Sequence, residues 1–497
     1  MISYEEYAAL DAVAMAALVA AGKVSASELL EAAIARAELV NPRLNAIVIP
    51  MHAIARERAA GPLAGSFAGV PFLLKDLYQD YAGVLSTSGC GAYRRAGYVP
   101  RRHSVLVERW LAAGLVMFGR TNTPEFGGKG ITEPHAWGAT RNPWQLSRTP
   151  GGSSGGAAAA VAAGVVPMAG ASDGGGSIRI PAAYTGLFGF KPGRGRTPTG
   201  PEMGEALHGA AMNHVLTRTV RDSATMLDAT HGPESGSITR LAAPARPYAE
   251  EVQREPGRMR IAFSTRSPLG TDVHADAVRA IERTAHTLEG LGHHVEEAEP
   301  ELDGRALARD FCSIWFAQLA LQVQLARTSL RAINEDFELD TLAIEAIGKA
   351  RSAVSYAESY VNWTHYSFQL SEFLRSYDVY MTPTQALPPA RVGEQTTPRW
   401  AEQLMRVGSP LGLLRLVPLA AKTIEETTLN NLAAVPFTQL ANVTGVPAMS
   451  LPLAQFADGL PLGVQFMAEH GEEGRLFGLA GQLERALPWH TRRPAVV

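Results

Sequence analysis

Two serine residues, each placed among glycines, are the features of this sequence best suited to chemistry. Ser153 lies in "PGGSSGG", and Ser177 follows 24 residues later in "SDGGGSIRIP". Nine of the 29 residues from Thr149 to Ser177 are glycine, against 48 in the 497 residues of the chain. Glycine costs about 0.5–1 kcal/mol per position in regular structure, so this concentration needs a use. The use is either tight turns or backbone N–H groups that converge on one point, as in an anion site or an oxyanion hole.

Familiar glycine-rich motifs do not fit this stretch. A Walker A loop needs a lysine after its glycine, and the stretch has none. Gly152, Ser154 and Gly156 match the pattern G-x-S-x-G, but a nucleophile elbow directly follows a strand. Pro143 and Pro150 argue against a strand before these serines. There is no H-E-x-x-H and there are only two cysteines, so we expect neither a metal nor another cofactor.

A serine hydroxyl becomes a good nucleophile only when a base removes its proton, and no histidine is an evident partner here. Lysine can be that base if burial lowers its pKa from the reference value of about 10.4 to near neutrality. Lys75 ends the apolar run "GVPFLLK" and is the lysine that such burial could reach. The alternative is that Lys75 is an ordinary solvated lysine at the end of a strand.

The three pieces together, "GVPFLLKDL", "PGGSSGG" and "SDGGGSIRIPAAYTGLFGFKPGRGR", resemble the amidase signature family of serine hydrolases. The order Lys, Ser, Ser and the spacing between the serines are those of the family. The segments "GRTNTPEFG" (119–127), "GATRNPWQLSRT" (138–149) and "LANVTGVPAMSLPL" (440–453) are also similar to it. The resemblance covers nearly the whole chain and is weakest between about 300 and 435.

This resemblance implies a Ser–cisSer–Lys triad. Ser177 would be the nucleophile, and Lys75 would be the base. Ser153, held by a non-proline cis peptide, would connect the two. The nucleophile-elbow alternative would instead make Ser154 the residue that is acylated.

The resemblance also implies binding roles for several glycines. The backbone N–H groups of Gly174, Gly175 and Gly176 would form the oxyanion hole, and Gly127 and Gly128 would line the acyl site next to the scissile bond. Gly174 departs from the family, which usually has an aliphatic residue at this position, but its N–H is retained.

A helix is predicted around "DFCSIWFAQ" (310–318). Trp315 and Phe316 on this helix either face the substrate or belong to the hydrophobic core. An apolar pocket would favour aliphatic or aryl amides over charged ones.

Composition narrows the class of partner. The chain is 46% hydrophobic and 19% charged, with a net charge of −3, so it can bury a core and shows no basic bias toward nucleic acid or an anionic membrane. Its N-terminus opens with acidic residues and no apolar run is long enough to span a membrane. We expect a cytoplasmic enzyme, monomeric or homodimeric, that acts on a small molecule.

Alternating helical and apolar segments predict an α/β fold. The resemblance to the amidase signature family implies a single compact domain with a central mixed β-sheet covered on both faces by helices. Its parts are an N-terminal helical part (1–65), a signature core (66–230) and a C-terminal part (231–497) that completes the sheet and lines the pocket. A helix is expected over 26–40, begun by a capping box and stopped by Asn41–Pro42. Strands are expected within 69–75, 113–121, 259–264, 293–300, 377–384 and 447–453.

Three further segments complete this prediction. The region from about 303 to 376 is predicted to be helical, and 386–429 to be loop with short helices. His293 and His294 are predicted to lie on the solvated surface.

The function expected from these observations is amide hydrolysis: a linear or cyclic carboxamide and water give a carboxylic acid and an amine or ammonia. Three alternatives remain: an esterase or carbamate hydrolase with the same triad, the A subunit of a glutamine-dependent tRNA amidotransferase, and a non-catalytic binding module.

Overall fold

The computed structural model describes residues 2–396 and 421–495. These residues contain eleven strands. In chain order they are β1 (Ile47–Pro50), β2 (Pro71–Lys75), β3 (Val116–Thr121), β4 (Met168–Asp173), β5 (Phe188–Lys191), β6 (Met212–Thr217), β7 (Arg260–Phe263), β8 (His294–Glu297), β9 (Val379–Pro383), β10 (Ala448–Gln455) and β11 (Pro461–Met467).

Seventeen helices lie in the same described ranges. They are α1 (Tyr4–Ala9), α2 (Ala12–Ala20), α3 (Ala26–Leu44), α4 (His52–Ala60), α5 (Gly91–Ala96), α6 (Val105–Ala112), α7 (Gly155–Ala162), α8 (Arg179–Thr185), α9 (Val220–Thr230), α10 (Tyr248–Gln253), α11 (Ala275–Gly290), α12 (Gly304–Leu330), α13 (Leu339–Ala350), α14 (Ala353–Leu374), α15 (Ala421–Leu432), α16 (Gln439–Thr444) and α17 (Glu473–Ala486).

The strands form two sheets. A three-stranded sheet has the order β1-β3-β2, in which β2 runs parallel and β1 antiparallel to β3. An eight-stranded mixed sheet has the order β4-β6-β5-β10-β11-β9-β7-β8. Its pairs are antiparallel from β4 to β9 and parallel among β9, β7 and β8. The prediction of an α/β fold with a central mixed sheet is confirmed.

Helices cover both faces of the large sheet, as the alternation along β11 illustrates. Leu462, Val464 and Phe466 belong to a core cluster that also contains residues of α11 and α17. Gln465, which points the other way because side chains alternate along a strand, accepts a hydrogen bond from Arg179 of α8. The sheet is therefore buried on both sides, and α8 brings the segment around Ser177 onto one of them.

The six apolar runs predicted as strands all contain one: β2, β3, β7, β8, β9 and β10. The first two lie in the small sheet, and both the predicted signature core and the predicted C-terminal part contribute strands to the large one. The region 303–376 contains α12, α13 and α14, as predicted. In the stretch 386–429, residues 397–420 lie outside the described residues.

Two local predictions near Ser25 had different outcomes. The capping box is confirmed, because Ser25 N–H donates to Glu28 Oε2 (3.0 Å) and Glu28 N–H donates to Ser25 Oγ (3.1 Å). The predicted stop at Asn41–Pro42 is wrong, since α3 continues to Leu44 with Pro42 inside it. The Asn41 side chain accepts hydrogen bonds from the next two N–H groups beyond Asn45, which ends the helix in a left-handed conformation.

No helix in the described ranges is both long enough and apolar enough to cross a bilayer.

Candidate active site

Lys75 ends β2, and its side chain is buried between the two sheets. The strand is buried along its whole length, with Lys75 paired to Thr121 of β3. Its Nζ lies 2.7 Å from Ser153 Oγ, 3.0 Å from Ser154 Oγ and 2.9 Å from Ser172 Oγ. The structure thus brings the predicted base and the predicted bridging serine into direct contact, within a group of three hydroxyls.

The environment of Lys75 favours the neutral form of its amine. Burial lowers the pKa of Lys75 to about 7, and the negative charge of Asp173 only partly opposes this shift. The three groups within hydrogen-bond distance of Nζ are uncharged hydroxyls, which do not hold the ammonium form as a carboxylate would. An amine in this position can accept a proton near neutral pH.

The hydrogen bonds of Ser154 restrict where that proton can come from. Ser154 Oγ donates to the carbonyl oxygen of Ser172 (3.2 Å) and accepts from the N–H of Ser172 (3.2 Å). The hydroxyl proton of Ser154 is therefore engaged with the Ser172 carbonyl, so Lys75 Nζ must donate a hydrogen to Ser154 Oγ. A neutral amine has two hydrogens and one lone pair, so the lone pair is left for the hydroxyl of Ser153 or Ser172.

The first glycine cluster brings Ser153 to Lys75 through close backbone packing. The Gly152–Ser153 peptide is cis. A Cβ at position 152 would lie 2.5 Å from the carbonyl oxygen of Ile131, so only glycine fits there. Helix α7 starts directly afterwards, and a Cβ on its Gly156 would lie 2.4 Å from the backbone nitrogen of Asn122. These contacts hold the serine loop against the end of β3.

The second glycine cluster is folded around the carboxylate of Asp173 at the end of β4. Asp173 Oδ1 accepts the N–H of Gly176 (2.7 Å), and Oδ2 accepts the N–H groups of Ile178 (3.1 Å) and Arg179 (3.3 Å). Ser177 lies between these anchored residues. The turn that carries the predicted nucleophile is therefore fixed on both sides.

Arg179 completes the support of this turn. It forms a fully buried ion pair with Asp173, with Nε 3.0 Å from Oδ2 and Nη2 2.9 Å from Oδ1. Burial opposes ionisation, but the Arg179 charge outweighs it and keeps the pKa of Asp173 well below its usual range. Asn442 of α16 donates to Asp173 Oδ1 (2.8 Å) and accepts from Arg179 (2.6 Å). Sequence reasoning did not identify Asp173, Arg179 or Asn442, although the first two flank the glycine cluster.

The structure joins Ser177 to the first cluster through the backbone. The N–H of Ser154 donates to the carbonyl oxygen of Ser177 (3.3 Å). The Ser177 side chain is half-buried, and its hydroxyl makes no hydrogen bond to any described residue, Ser153 included. Ser177 thus lies beside the backbone of the first cluster and is partly exposed, while its hydroxyl is hydrogen-bonded to neither Ser153 nor Lys75.

Not all of the predicted oxyanion donors are available. The N–H of Gly176 is engaged by Asp173, whereas the N–H groups of Gly174, Gly175 and Ser177 have no partner among the described residues. The carbonyl of Gly175 accepts from Thr438 Oγ1 (2.7 Å) and Gln439 Nε2 (3.3 Å), which fixes the orientation of that peptide. Three N–H groups of the loop are therefore available to a developing oxyanion.

The predicted substrate-binding glycines lie beside this group. Gly127 has φ +68°, and a Cβ there would lie 3.3 Å from Ser153 Oγ. A Cβ at Gly128 would lie 3.1 Å from Leu319 Cδ1 and 3.7 Å from Trp315 Cζ2, so α12 packs over this loop. Trp315 is half-buried at this position, whereas Phe316 is a core residue.

Comparison with known proteins identifies the class. Residues 28–477 match the family model described as amidase. The chain is 37% identical over 495 residues to the 6-aminohexanoate-cyclic-dimer hydrolase of Paenarthrobacter ureafaciens, which covers 98% of this chain and 97% of that protein. It is 38% identical over 484 residues to the putative amidase AmiC of Mycobacterium tuberculosis strain H37Rv, covering 97% and 95% of the two chains.

A solved structure agrees with these relatives. The structure of 6-aminohexanoate cyclic dimer hydrolase complexed with substrate superposes with a TM-score of 0.91 at 34% identity, covering 98% of this chain and 99% of that one. The chain belongs to the amidase family. It is an amide-hydrolysing enzyme, acting on carbon–nitrogen bonds, and the comparisons do not support the esterase or amidotransferase alternatives.

Proposed function

We propose that this enzyme hydrolyses an uncharged carboxamide, linear or cyclic, through an acyl-enzyme formed on Ser177. The observation that carries the proposal is the buried Lys75 amine, with a pKa lowered to about 7, at 2.7 Å from Ser153 Oγ. A neutral lysine can accept the Ser153 proton while Ser153 accepts that of Ser177. This relay makes Ser177 the nucleophile, Ser153 the bridge and Lys75 the base.

The reaction then runs in two halves. Ser177 Oγ attacks the amide carbonyl carbon, and the N–H groups of Gly174, Gly175 and Ser177 stabilise the oxyanion. As the C–N bond breaks, the proton held by Lys75 returns through Ser153 to the leaving amine. A water molecule then passes its proton to Lys75 along the same path and attacks the acyl carbon. The bond from this carbon to Ser177 Oγ breaks, and the proton returns to Ser177 as the carboxylic acid leaves. Gly127 and Gly128 line the side of the site occupied by the acyl group.

The uncharged substrate class is supported by what surrounds the site. Phe311 and Trp315 of α12 approach Gly175 and Gly128, respectively, and both side chains are aromatic. The two cyclic-dimer hydrolases among the relatives are named for an amide of 6-aminohexanoate. We propose a substrate of this kind, with a hydrocarbon segment next to the scissile carbonyl.

The proposal also concerns the cellular compartment and the binding partners of the enzyme. A net charge of −3 on 497 residues supports a small-molecule substrate without nucleic acid or membrane as partner. Two cysteines in a chain of this length are typical of a reducing compartment, so we propose a cytoplasmic monomer or homodimer that needs no cofactor.

The nucleophile is tested by covalent labelling. A fluorophosphonate should label one residue, and peptide mapping should place the label on Ser177. Ser177→Ala should remove both labelling and amide turnover while leaving the melting temperature unchanged, because the hydroxyl makes no hydrogen bond that supports the fold. Mapping of the label to Ser154 would reject the proposed triad in favour of the nucleophile-elbow alternative.

A further inference from the structure

The backbone conformation at position 174 does not require glycine. Its φ lies outside the left-handed region, unlike that of Gly176 at +123°. The reason for glycine at 174 must therefore be sought in the space around it.

That space is occupied by Leu207, which lies 33 residues further along the chain. A Cβ at position 174 would lie 3.1 Å from Leu207 Cδ1 and 3.4 Å from Ala211 Cβ. The first distance is tighter than an ordinary van der Waals contact, so a larger side chain at 174 would displace the leucine. An aliphatic side chain from a distant segment of the chain thus lies beside the glycine loop.

The segment that carries Leu207 has an unusual backbone. Leu207, His208 and Gly209 are all left-handed, with φ of +51°, +52° and +75°. Hydrogen bonds from Gly209 N–H to Ala206 O (3.1 Å) and from Ala210 N–H to Leu207 O (3.0 Å) close the turn. A non-glycine residue rarely adopts this conformation, and such residues concentrate at functional sites.

Contacts on both sides hold this turn in place. Asn442 Nδ2 donates to Ala210 O (3.0 Å) as well as to Asp173 Oδ1 (2.8 Å), which ties the turn directly to the support of the nucleophile loop. On the other side, His208 Nε2 lies 2.5 Å from Tyr356 Oη, and the His208 ring lies 4.4 Å from that of Tyr360. The position of Leu207 relative to Gly174 is therefore determined by two independent anchors.

We propose that Leu207 is a specificity-determining residue that supplies an aliphatic surface next to Gly174. Leu207 is half-buried, so part of its surface stays accessible beside the glycine loop. Phe311 packs against the neighbouring Gly175, where a Cβ would lie 2.8 Å from Phe311 Cζ. The two side chains form an apolar wall next to the oxyanion donors, while the titratable His208 is turned toward Tyr356. This wall selects amides with an uncharged hydrocarbon acyl chain, an inference that rests on the proposed function.

The test compares two p-nitroanilides that differ only in the acyl group, acetyl and hexanoyl. Leu207→Ala should lower kcat/KM for the hexanoyl substrate about 10-fold relative to the acetyl substrate, because only the longer chain reaches the lost surface. Gly174→Val should impair the enzyme by displacing Leu207. The double variant Gly174→Val/Leu207→Ala should recover most of the hexanoyl preference, since valine refills the space that alanine vacates.

Gly175→Ala is the matched control. Its new methyl group meets Phe311 rather than Leu207, so Leu207→Ala should not rescue it. Melting temperatures of all variants are measured, and if Leu207→Ala does not fold, the milder Leu207→Val carries the same comparison with the same sign.

The outcomes distinguish failure of the Leu207 proposal from failure of the proposed function. Equal losses on both anilides in Leu207→Ala, or a double variant no better than the two single changes combined, would reject the role of Leu207. A wild-type enzyme that hydrolyses neither anilide but is labelled on Ser177 would also overturn it, by rejecting the substrate class. A wild-type enzyme that is not labelled on Ser177 would reject the proposed function itself.

Discussion

Replacement of Lys75 by methionine tests the central step of the proposed mechanism. Methionine keeps most of the volume of the buried chain and removes the amine that lies within 3.0 Å of three serine hydroxyls. If Lys75 is the base, the wild-type rate must follow the fraction of neutral lysine. The rate should therefore rise as pH rises, because deprotonation creates the active form.

The magnitude follows from the pKa of about 7. About half of the Lys75 side chains are neutral at pH 7 and only about 1% at pH 5, so kcat/KM should fall about 100-fold between the plateau and pH 5. Above about pH 8 the profile should flatten. Lys75→Met should lose about 10³-fold on an amide, within the range typical of general acid–base catalysis, and should no longer show the acid limb.

The assay is kcat/KM for an amide and an ester with the same acyl group, measured from pH 5 to 9 in both proteins. The ester should lose less in Lys75→Met, because an alkoxide leaves with less help than an amine, which must be protonated as it departs. A wild-type profile that is flat from pH 5 to 8, or small and equal losses on the two substrates, would refute the assignment of Lys75 as base.

Protein stability provides an independent measure of the same pKa. The folded value of about 7 lies below the ordinary lysine value of 10.5, so the unfolded state binds more protons between these limits. Wild-type stability should therefore rise relative to Lys75→Met as pH increases from about 7 to 10.5. A stability difference independent of pH would show that Lys75 is not held neutral in the folded protein.

Two further predictions concern the serines next to Lys75 and the effect of metal removal. Ser153→Ala should reduce amide kcat/KM much more than Ser154→Ala, because the Ser154 hydroxyl proton is hydrogen-bonded to the Ser172 carbonyl. Equal activities of the two variants would contradict the proton relay. Activity should survive prolonged dialysis against EDTA, since the described residues contain no group of histidine, cysteine, aspartate and glutamate side chains fit to hold a metal ion. Loss of activity that zinc restores would contradict the proposed metal-free mechanism.

Local chemistry made much of the fold predictable from the sequence. Apolar runs bounded by turn residues identified β2, β3 and four strands of the large sheet, and the Ser25–Glu28 pair marked the start of α3. The strand β4 was not predicted, because its sequence "MAGASD" lacks the β-branched and aromatic residues typical of strands. A Cβ at its Gly170 would lie 2.2 Å from Gln79 Oε1, so close packing rather than propensity selects these small residues.

Contacts between distant segments were beyond the sequence. Asn442 reaches Asp173 across 269 residues of chain, and no local pattern indicates that pairing. His293, predicted to lie on the surface, is instead buried, because it accepts the N–H of Met259 (3.1 Å) and contacts Gln482 (2.8 Å). Likewise, the glycine at 174 was visible in the sequence, but the leucine that fills its place was not.

The lysine can be neutral because it is buried where the two sheets meet and because the Asp173 charge, which favours its ammonium form, is paired with Arg179. Lys75 comes from the small sheet and Ser172 from β4 at the edge of the large one, and Gln79 connects them by accepting the Lys75 N–H (2.6 Å) and donating to Ala171 O (3.2 Å). The Asp173 carboxylate, one residue beyond Ser172, would favour the ammonium form if it were unpaired. Arg179 binds it through two hydrogen bonds, so its field at Lys75 is reduced and only partly opposes the lowering of the Lys75 pKa by burial. The ion pair that shapes the nucleophile turn therefore also leaves the base free to accept a proton.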